Sequence, residues 1–237
     1  MSLVRIAVRY MAVEALKGAT LVGNRVFDSQ IGMVDEVSNP GTHPYLAVYT
    51  DRAVPGPDDK GVFSNGICTM LLQTSASSAM TTVDENGNST IIDGVFATDG
   101  GFEFTLDLIV RQALAALSSS ETREAELFRS LFNGFTKVER RCMGSPGQNQ
   151  RIASHQVLLE LPLINDPVPG VVLRPEAKLM QVIEHMEGHS DPEVNERARF
   201  MRAALEGPSD SWHLLVQKTG MTNASAEKLS LHAPRDS

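Results

Sequence analysis

Cysteine is scarce in this chain: Cys68 and Cys142 are the two among 237 residues. They lie far apart and lack CxxC spacing, which excludes a disulfide framework and the common zinc-knuckle patterns. Both are expected as buried free thiols, Cys68 in a strand and Cys142 near the end of a helix. Aromatic residues make up only 5% of the chain, with a single Trp. The core must therefore be built from Leu, Val, Ile and Met. Cations are in deficit, 21 Lys and Arg against 29 Asp and Glu, for a net charge of −8. Sequence-independent nucleic-acid binding needs cationic groups to displace phosphate counterions, so the balance argues against it. An acidic surface that lets DNA slide past without sticking remains compatible with this charge, as does an ordinary acidic exterior. No unbroken apolar run is present near the start, where Arg5, Arg9, Glu14 and Lys17 interrupt the first twenty residues. A signal peptide or a membrane span of about 20 apolar residues is excluded there, and the expected place of synthesis and assembly is the cytoplasm.

What is present is an ordinary globular composition, 42% hydrophobic and 21% charged, in a chain long enough to bury a sizeable core. Leu3 to Lys17 has helical periodicity, with Ile6, Ala7, Tyr10, Val13 and Leu16 on one side and Gly18 placed as a left-handed cap. Arg25 to Asp28 is a short extended segment. Tyr45 to Thr50, introduced by Pro44, and Ile67 to Thr74 are rich in strand formers. Thr/Val/Ile-rich arms flank Asp84-Glu85-Asn86-Gly87-Asn88, and Asn-Gly between such arms is a strong hairpin signal. This hairpin, poor in large apolar residues, is expected to project from the body. Phe102 to Val110 alternates apolar and polar residues and predicts a strand. Ser118 to Ser120 offer caps for a helix over Glu121 to Arg140, whose core stripe is Leu127, Phe128, Leu131, Phe132 and Phe135. Met143 to Asn149 is expected as a loop, and Ile152 to Leu163 as a strand burying Val157, Leu159, Leu161 and Leu163.

After Pro167 and Pro169 the pattern becomes helical. Pro175 suits the first turn of a helix ending near Glu187. Ser190-Asp191-Pro192-Glu193 is expected as a capping box opening a helix to Leu205, with Gly207-Pro208 beyond it. Trp212 to Gln217 has strand character, and the small, polar residues from Thr219 onward predict disorder. The expected organisation is an α+β domain over residues 1–165, a helical extension over 166–218 and a disordered tail over 219–237. In the first of these a largely antiparallel sheet is packed by two helices and carries the projecting β-hairpin.

Catalytic signatures are missing. The chain has no GxGxxG, P-loop, GxSxG elbow or HExxH, so no catalytic residue, cofactor or metal is assigned. His185 and His189 have HxxxH spacing beside Glu184 and Glu187, which could place two imidazoles on one ion. Gly188, however, is expected to end that helix and turn His189 away. His155 falls on the apolar side of its strand and is expected as a satisfied core histidine. Asp51, Asp58, Asp59, Asp84, Asp93 and Asp99 are expected to cap turns in loops rather than form a carboxylate pair.

The order of elements and several short words are similar to the phage tail-terminator family, the minor tail protein U-like tail completion proteins. Glu14-Ala15-Leu16, Gly18-Ala19-Thr20 and Arg25-Val26-Phe27-Asp28 resemble that family's opening. So does Pro44 ahead of Ala47-Val48-Tyr49-Thr50. Leu106 to Val110 as a central strand, the acidic helix start Glu121 to Leu127, and Val157 to Leu161 extend the likeness over residues 3 to 162. Residues 51 to 101 and the helices after 165 depart from the family's small members. The resemblance implies a structural virion protein that forms a homohexameric ring on the last tail-tube ring. Its partners would be the tail tube protein and the head-neck connector, with DNA passing through the ring without specific binding and no membrane involved. Asp84, Glu85, Asn86, Gly87 and Asn88 are the candidate ring-contact loop. Another neck, head-completion or minor tail subunit is the nearest alternative. A metal-dependent hydrolase using His185 and His189, and a cytosolic binding module docking through the C-terminal helices, are the readings from other classes.

Overall fold

The computed structural model describes residues 2–29, 44–54, 63–77, 81–91, 95–96, 98–146, 151–170 and 172–206. Two compact units divide between Ile164 and Asn165. In the first unit a five-stranded sheet has the order β1-β2-β3-β8-β7. Its strands are β1 (Val26–Asp28), β2 (Tyr45–Val54), β3 (Ile67–Ser77), β7 (Lys137–Pro146) and β8 (Arg151–Pro162). β1 runs parallel to β2 and every other neighbouring pair is antiparallel. This is the α+β class expected from the sequence.

One face of the sheet packs against α1 (Leu3–Leu16) and α2 (Asp99–Ser118), and the short α3 (Arg123–Ser130) packs on α1. The alternation along β3 and β8 sets this face: Cys68, Met70, Leu72 and Thr74 are buried, as are His155, Val157, Leu159 and Leu161. Their in-between neighbours Thr69, Leu71, Gln73, Gln156, Leu158 and Glu160 are half-buried on the other face. Period-two patterning of this kind is what a sheet covered on one side requires. α1 is buried more widely than the single stripe expected, with Val4, Val8 and Met11 fully enclosed beside Ala7, Tyr10, Val13 and Leu16, while Ile6 is only half-buried. The helix is sandwiched between the sheet and other helices, which is why apolar residues surround it. Ser2 caps its start through Arg5 N–H at 3.0 Å, and Gly18 follows its end at φ 70°. Arg9 then ties the helix to β1 through the Asp28 carboxylate and to β2 through Thr50 Oγ1 at 3.2 Å.

Phe102 to Val110, expected as a strand, is instead the first half of α2. The buried set Phe102, Thr105, Leu106, Ile109, Val110, Ala113 and Leu117 follows helical spacing, whereas Phe104 stays 63% exposed. Thr98 caps the helix through Gly101 N–H at 3.1 Å. The nine-residue alternation also fits a helix, and the Ala- and Leu-rich continuation to Leu117 decides between the two. The helix expected over Glu121 to Arg140 stops at Ser130. Its cap is Thr122, which accepts from Ala125 N–H at 3.2 Å, rather than Ser118 to Ser120. Gly134 at φ 80° turns the chain, and Lys137 onward becomes β7, an edge strand recruited by β8. Phe128, Phe132 and Phe135 form an aromatic cluster with centroids 5.0 to 6.4 Å apart. Such edge and tilted contacts between rings are favourable beyond burial alone. β7 continues through Pro146, so only the last part of the loop expected over Met143 to Asn149 falls outside it, and residues 147–150 lie outside the described residues. Cys142, expected as buried, is exposed on β7, while Cys68 is buried on β3.

The hairpin around Asn86 belongs to a small three-stranded sheet, β4 (Thr81–Val83), β5 (Ser89–Ile91) and β6 (Val95–Phe96). The second unit contains two consecutive helices in contact with each other, α4 (Lys178–Glu187) and α5 (Pro192–Glu206). α4 begins three residues later than Pro175 suggested, with Pro175 and Glu176 in the preceding turn. Asp191 rather than Ser190 caps α5, its Oδ1 accepting from Glu193 N–H at 2.9 Å. Both helices bury apolar stripes, Leu179, Val182, Ile183 and Met186 on α4, and Val194, Ala198, Met201 and Leu205 on α5. Arg202 closes this pair with a bidentate contact to Glu187, both distances 2.7 Å. Trp212 to Gln217 and the chain from Thr219 lie outside the described residues. Among the described residues no helix is long and apolar enough to cross a membrane.

Candidate functional site

The loop Asp84 to Asn88 is organised by one carboxylate. Asp84 Oδ1 accepts from Asn86 N–H at 2.9 Å and Asn88 N–H at 2.7 Å, and Oδ2 accepts from Asn88 Nδ2 at 3.1 Å. Asp84 N–H donates to Asn88 O at 2.9 Å, and Gly87 N–H donates to Asp84 O at 3.0 Å. Gly87 sits at φ 81°, a left-handed position that residues with a Cβ adopt at a cost. The hydrogen bonds from Asn88 and Asn86 hold the Asp84 carboxyl below its ordinary range. Residues 83–88 are all exposed, so the tip is ordered by its own polar groups rather than by burial. A tip preorganised in this way loses little conformational entropy when a partner docks on it.

A second constellation lies where α2 crosses β8 and β7. His155 stands in the sheet between Thr74 on β3 and Cys142 on β7, its directly paired neighbours. Its side chain is 6% exposed. Glu103 and Asp107, one helical turn apart on α2, reach it from above. Glu103 Oε2 lies 2.8 Å from Nε2, and Asp107 Oδ1 lies 3.6 Å from Nδ1. A neutral imidazole has one N–H, so it can donate to only one of these carboxylates at a time. Cys142, on the same face of the sheet as its cross-strand partner, completes a group with Glu103 and His155. One possible ligand atom from each lies within 4.8 Å of the other two. His155 is thus the buried, hydrogen-bonded core histidine expected, but it faces carboxylates and a thiol rather than apolar packing alone.

His185 and His189 do not come together in this manner. α4 ends at Glu187, and Gly188 caps it at φ −82°, ψ −2°. His189 Nδ1 accepts from Asp191 N–H at 3.0 Å at the entry to α5. Among the described residues the pair joins no cluster of three metal-ligand types. The loop aspartates also separate: Asp84 caps its turn as expected, Asp51 lies within β2, and Asp99 is the first residue of α2. Asp58, Asp59 and Asp93 lie outside the described residues.

The Glu103–Cys142–His155 group escaped the sequence reading because two of its members were placed on the wrong elements. As a strand, Phe102 to Val110 puts Glu103 and Asp107 on the solvent side. As the end of a helix, Cys142 has no strand partner. The signal available was the i, i+4 spacing of Glu103 and Asp107 inside a helix-compatible window, together with a histidine on the apolar side of a strand.

No protein-family model matches this chain, and no curated protein matches it.

Proposed function

We propose that this protein is a structural subunit of a tailed-phage or prophage particle, a tail terminator that forms a hexameric ring at the end of the tail tube. The observation that carries this reading is the likeness of the segments Glu14 to Asp28, Pro44 to Thr50 and Val157 to Leu161, which fall within one compact α+β unit ending at Ile164. Leu106 to Val110 does not support it as a central strand, since these residues lie in α2. Two features favour a part made for assembly. The Asp84 to Asn88 tip is exposed and already ordered, a suitable contact for a neighbouring ring. β7 leaves one long edge of the five-stranded sheet without a strand partner among the described residues, which suits repeated contacts between copies. One surface of the ring would stop tube polymerisation and the other would meet the head-neck connector, DNA passing through without specific binding. Its place would be the tail or neck of the virion, with assembly in the host cytoplasm.

Native mass determination of the purified full chain tests the proposal, together with detection of the protein in particles. A sixfold species and its presence at one end of isolated tails are the expected results. A protein that stays monomeric at high concentration and is absent from particles refutes it. Flanking genes for tape-measure, tube and head-completion proteins would separate the terminator from an unrelated binding module.

A further inference from the structure

We infer that Glu103, Cys142 and His155 form a binding site for a borderline-soft divalent cation of the zinc class. The donors come from three separate elements, α2, β7 and β8, and one atom from each lies within 4.8 Å of the other two. Ligands around a four-coordinate zinc sit about 2.0 to 2.3 Å from the metal, so donor atoms must be roughly 3.3 to 3.8 Å apart. The exposed Glu103 and Cys142 side chains can close that gap by small rotations, since the backbone of the site is held by the sheet and helix. A thiolate, an imidazole and a carboxylate together select zinc-like ions over magnesium or calcium, which prefer oxygen donors alone.

The buried imidazole is oriented for such a role. Nε2 already points at the Glu103 carboxylate, and Nδ1 faces Asp107. With the cation on Nε2, the Nδ1 proton faces Asp107 at 3.6 Å, beyond hydrogen-bond distance, and a small movement of that exposed side chain would complete the carboxylate–histidine–metal arrangement. Binding displaces the thiol proton of Cys142 to solvent, a neutral ring protonated on Nε2 shifts that proton to Nδ1 by exchange with solvent, and no redox change is involved. Three protein ligands leave the fourth position of a tetrahedral ion to water or to a donor from outside this chain. The cation would clip α2 to the edge strand β7 through the interior strand β8.

The test uses the purified, reduced full-length protein titrated with cobalt(II) and zinc(II) alone. One equivalent of cobalt should bind with a thiolate-to-metal charge-transfer band that zinc displaces. Zinc should protect Cys142 from alkylation and raise the melting temperature. Cys142→Ser and Glu103→Gln should weaken binding at least tenfold, with the charge-transfer band lost in Cys142→Ser, and far-UV circular dichroism of the metal-free variants checks that each still folds. His185→Ala should leave binding intact. Absence of a stoichiometric cobalt complex overturns the assignment, and so does a band that survives Cys142→Ser or disappears in His185→Ala. Metal binding is read on the isolated protein, so its failure is distinct from failure of ring assembly.

Discussion

Replacing Phe104 and Leu106 separately by Ala distinguishes the helix from the strand that the same residues could form. In a strand the two side chains share one face and would be buried together. In α2 they diverge: Leu106 is fully buried, and Phe104 is 63% exposed. Removing a fully buried Leu side chain costs about 2 to 5 kcal/mol, the loss of transfer energy plus the cavity left behind. A completely buried Phe is worth about 1.5 to 3 kcal/mol in transfer terms, so the third or so that Phe104 covers is worth roughly 0.5 to 1 kcal/mol. For a protein of this size each kcal/mol moves the melting midpoint by about 2 to 4 °C. Leu106→Ala at about 3 kcal/mol should therefore lower it by roughly 6 to 12 °C, against about 1 to 4 °C for Phe104→Ala. Urea denaturation followed by far-UV circular dichroism gives the same comparison, provided that protein concentration is fixed so that assembly does not shift the midpoint. Equal losses at the two positions, or a larger loss at Phe104, would refute the helical account.

Thiol titration of the native, metal-free protein should count one rapidly reacting cysteine, Cys142, and two after denaturation. Cys68 is enclosed in the core, and its thiol is pushed up by burial; two fast thiols in the native state would contradict the packing of β3. Asp84→Ala should speed hydrogen exchange at the Asn86 and Asn88 amides without moving the melting temperature, because the carboxylate orders only an exposed turn; unchanged exchange would show the turn does not depend on it. Arg202 holds the Glu187 carboxyl below its ordinary range. The pair's stabilisation is then present above the ordinary carboxylate range and is lost as pH falls through the lowered value. Arg202→Ala should cost roughly 1 kcal/mol near neutral pH, and this difference from the parent protein should shrink in acid. A difference that does not change with pH would rule out the ion pair as its source.

Strong periodic segments with local caps were legible in the residues themselves. Leu3 to Leu16 carries its own cap and terminal glycine, and Ile152 to Leu163 alternates over a span too long to mistake. The Asn-Gly turn needs only its own backbone preference. Failures arose where a partner distant in sequence decides. Lys137 to Cys142 is as suitable for a helix as for a strand, and only the adjacent β8 makes it a strand. The alternation over Phe102 to Val110 fits a strand and a helix alike, and the Ala-rich turns that follow it decide for the helix. Because Glu103 and Cys142 lie in those two segments, the cluster around His155 depended on tertiary structure. The loop at Asp84 to Asn88, being local, did not.

The edge strand β7 carries Lys137, Glu139 and Arg141 on one face, with Glu139 bonded to Lys137 at 2.8 Å and to Arg141 at 2.7 Å. The two cations lower the Glu139 carboxyl to about 2, so this plus-minus-plus pattern persists well into acid. The pattern acts as a register code for any strand laid against that edge. A second copy arriving antiparallel with Glu139 opposite Glu139 also sets Lys137 against Arg141, and every charged pair repels. A slip that places Glu139 opposite Lys137 or Arg141 turns repulsion into attraction while keeping the same face outward. The edge thus discriminates among alignments of identical chains, admitting staggered contact and rejecting the symmetric one centred on Glu139.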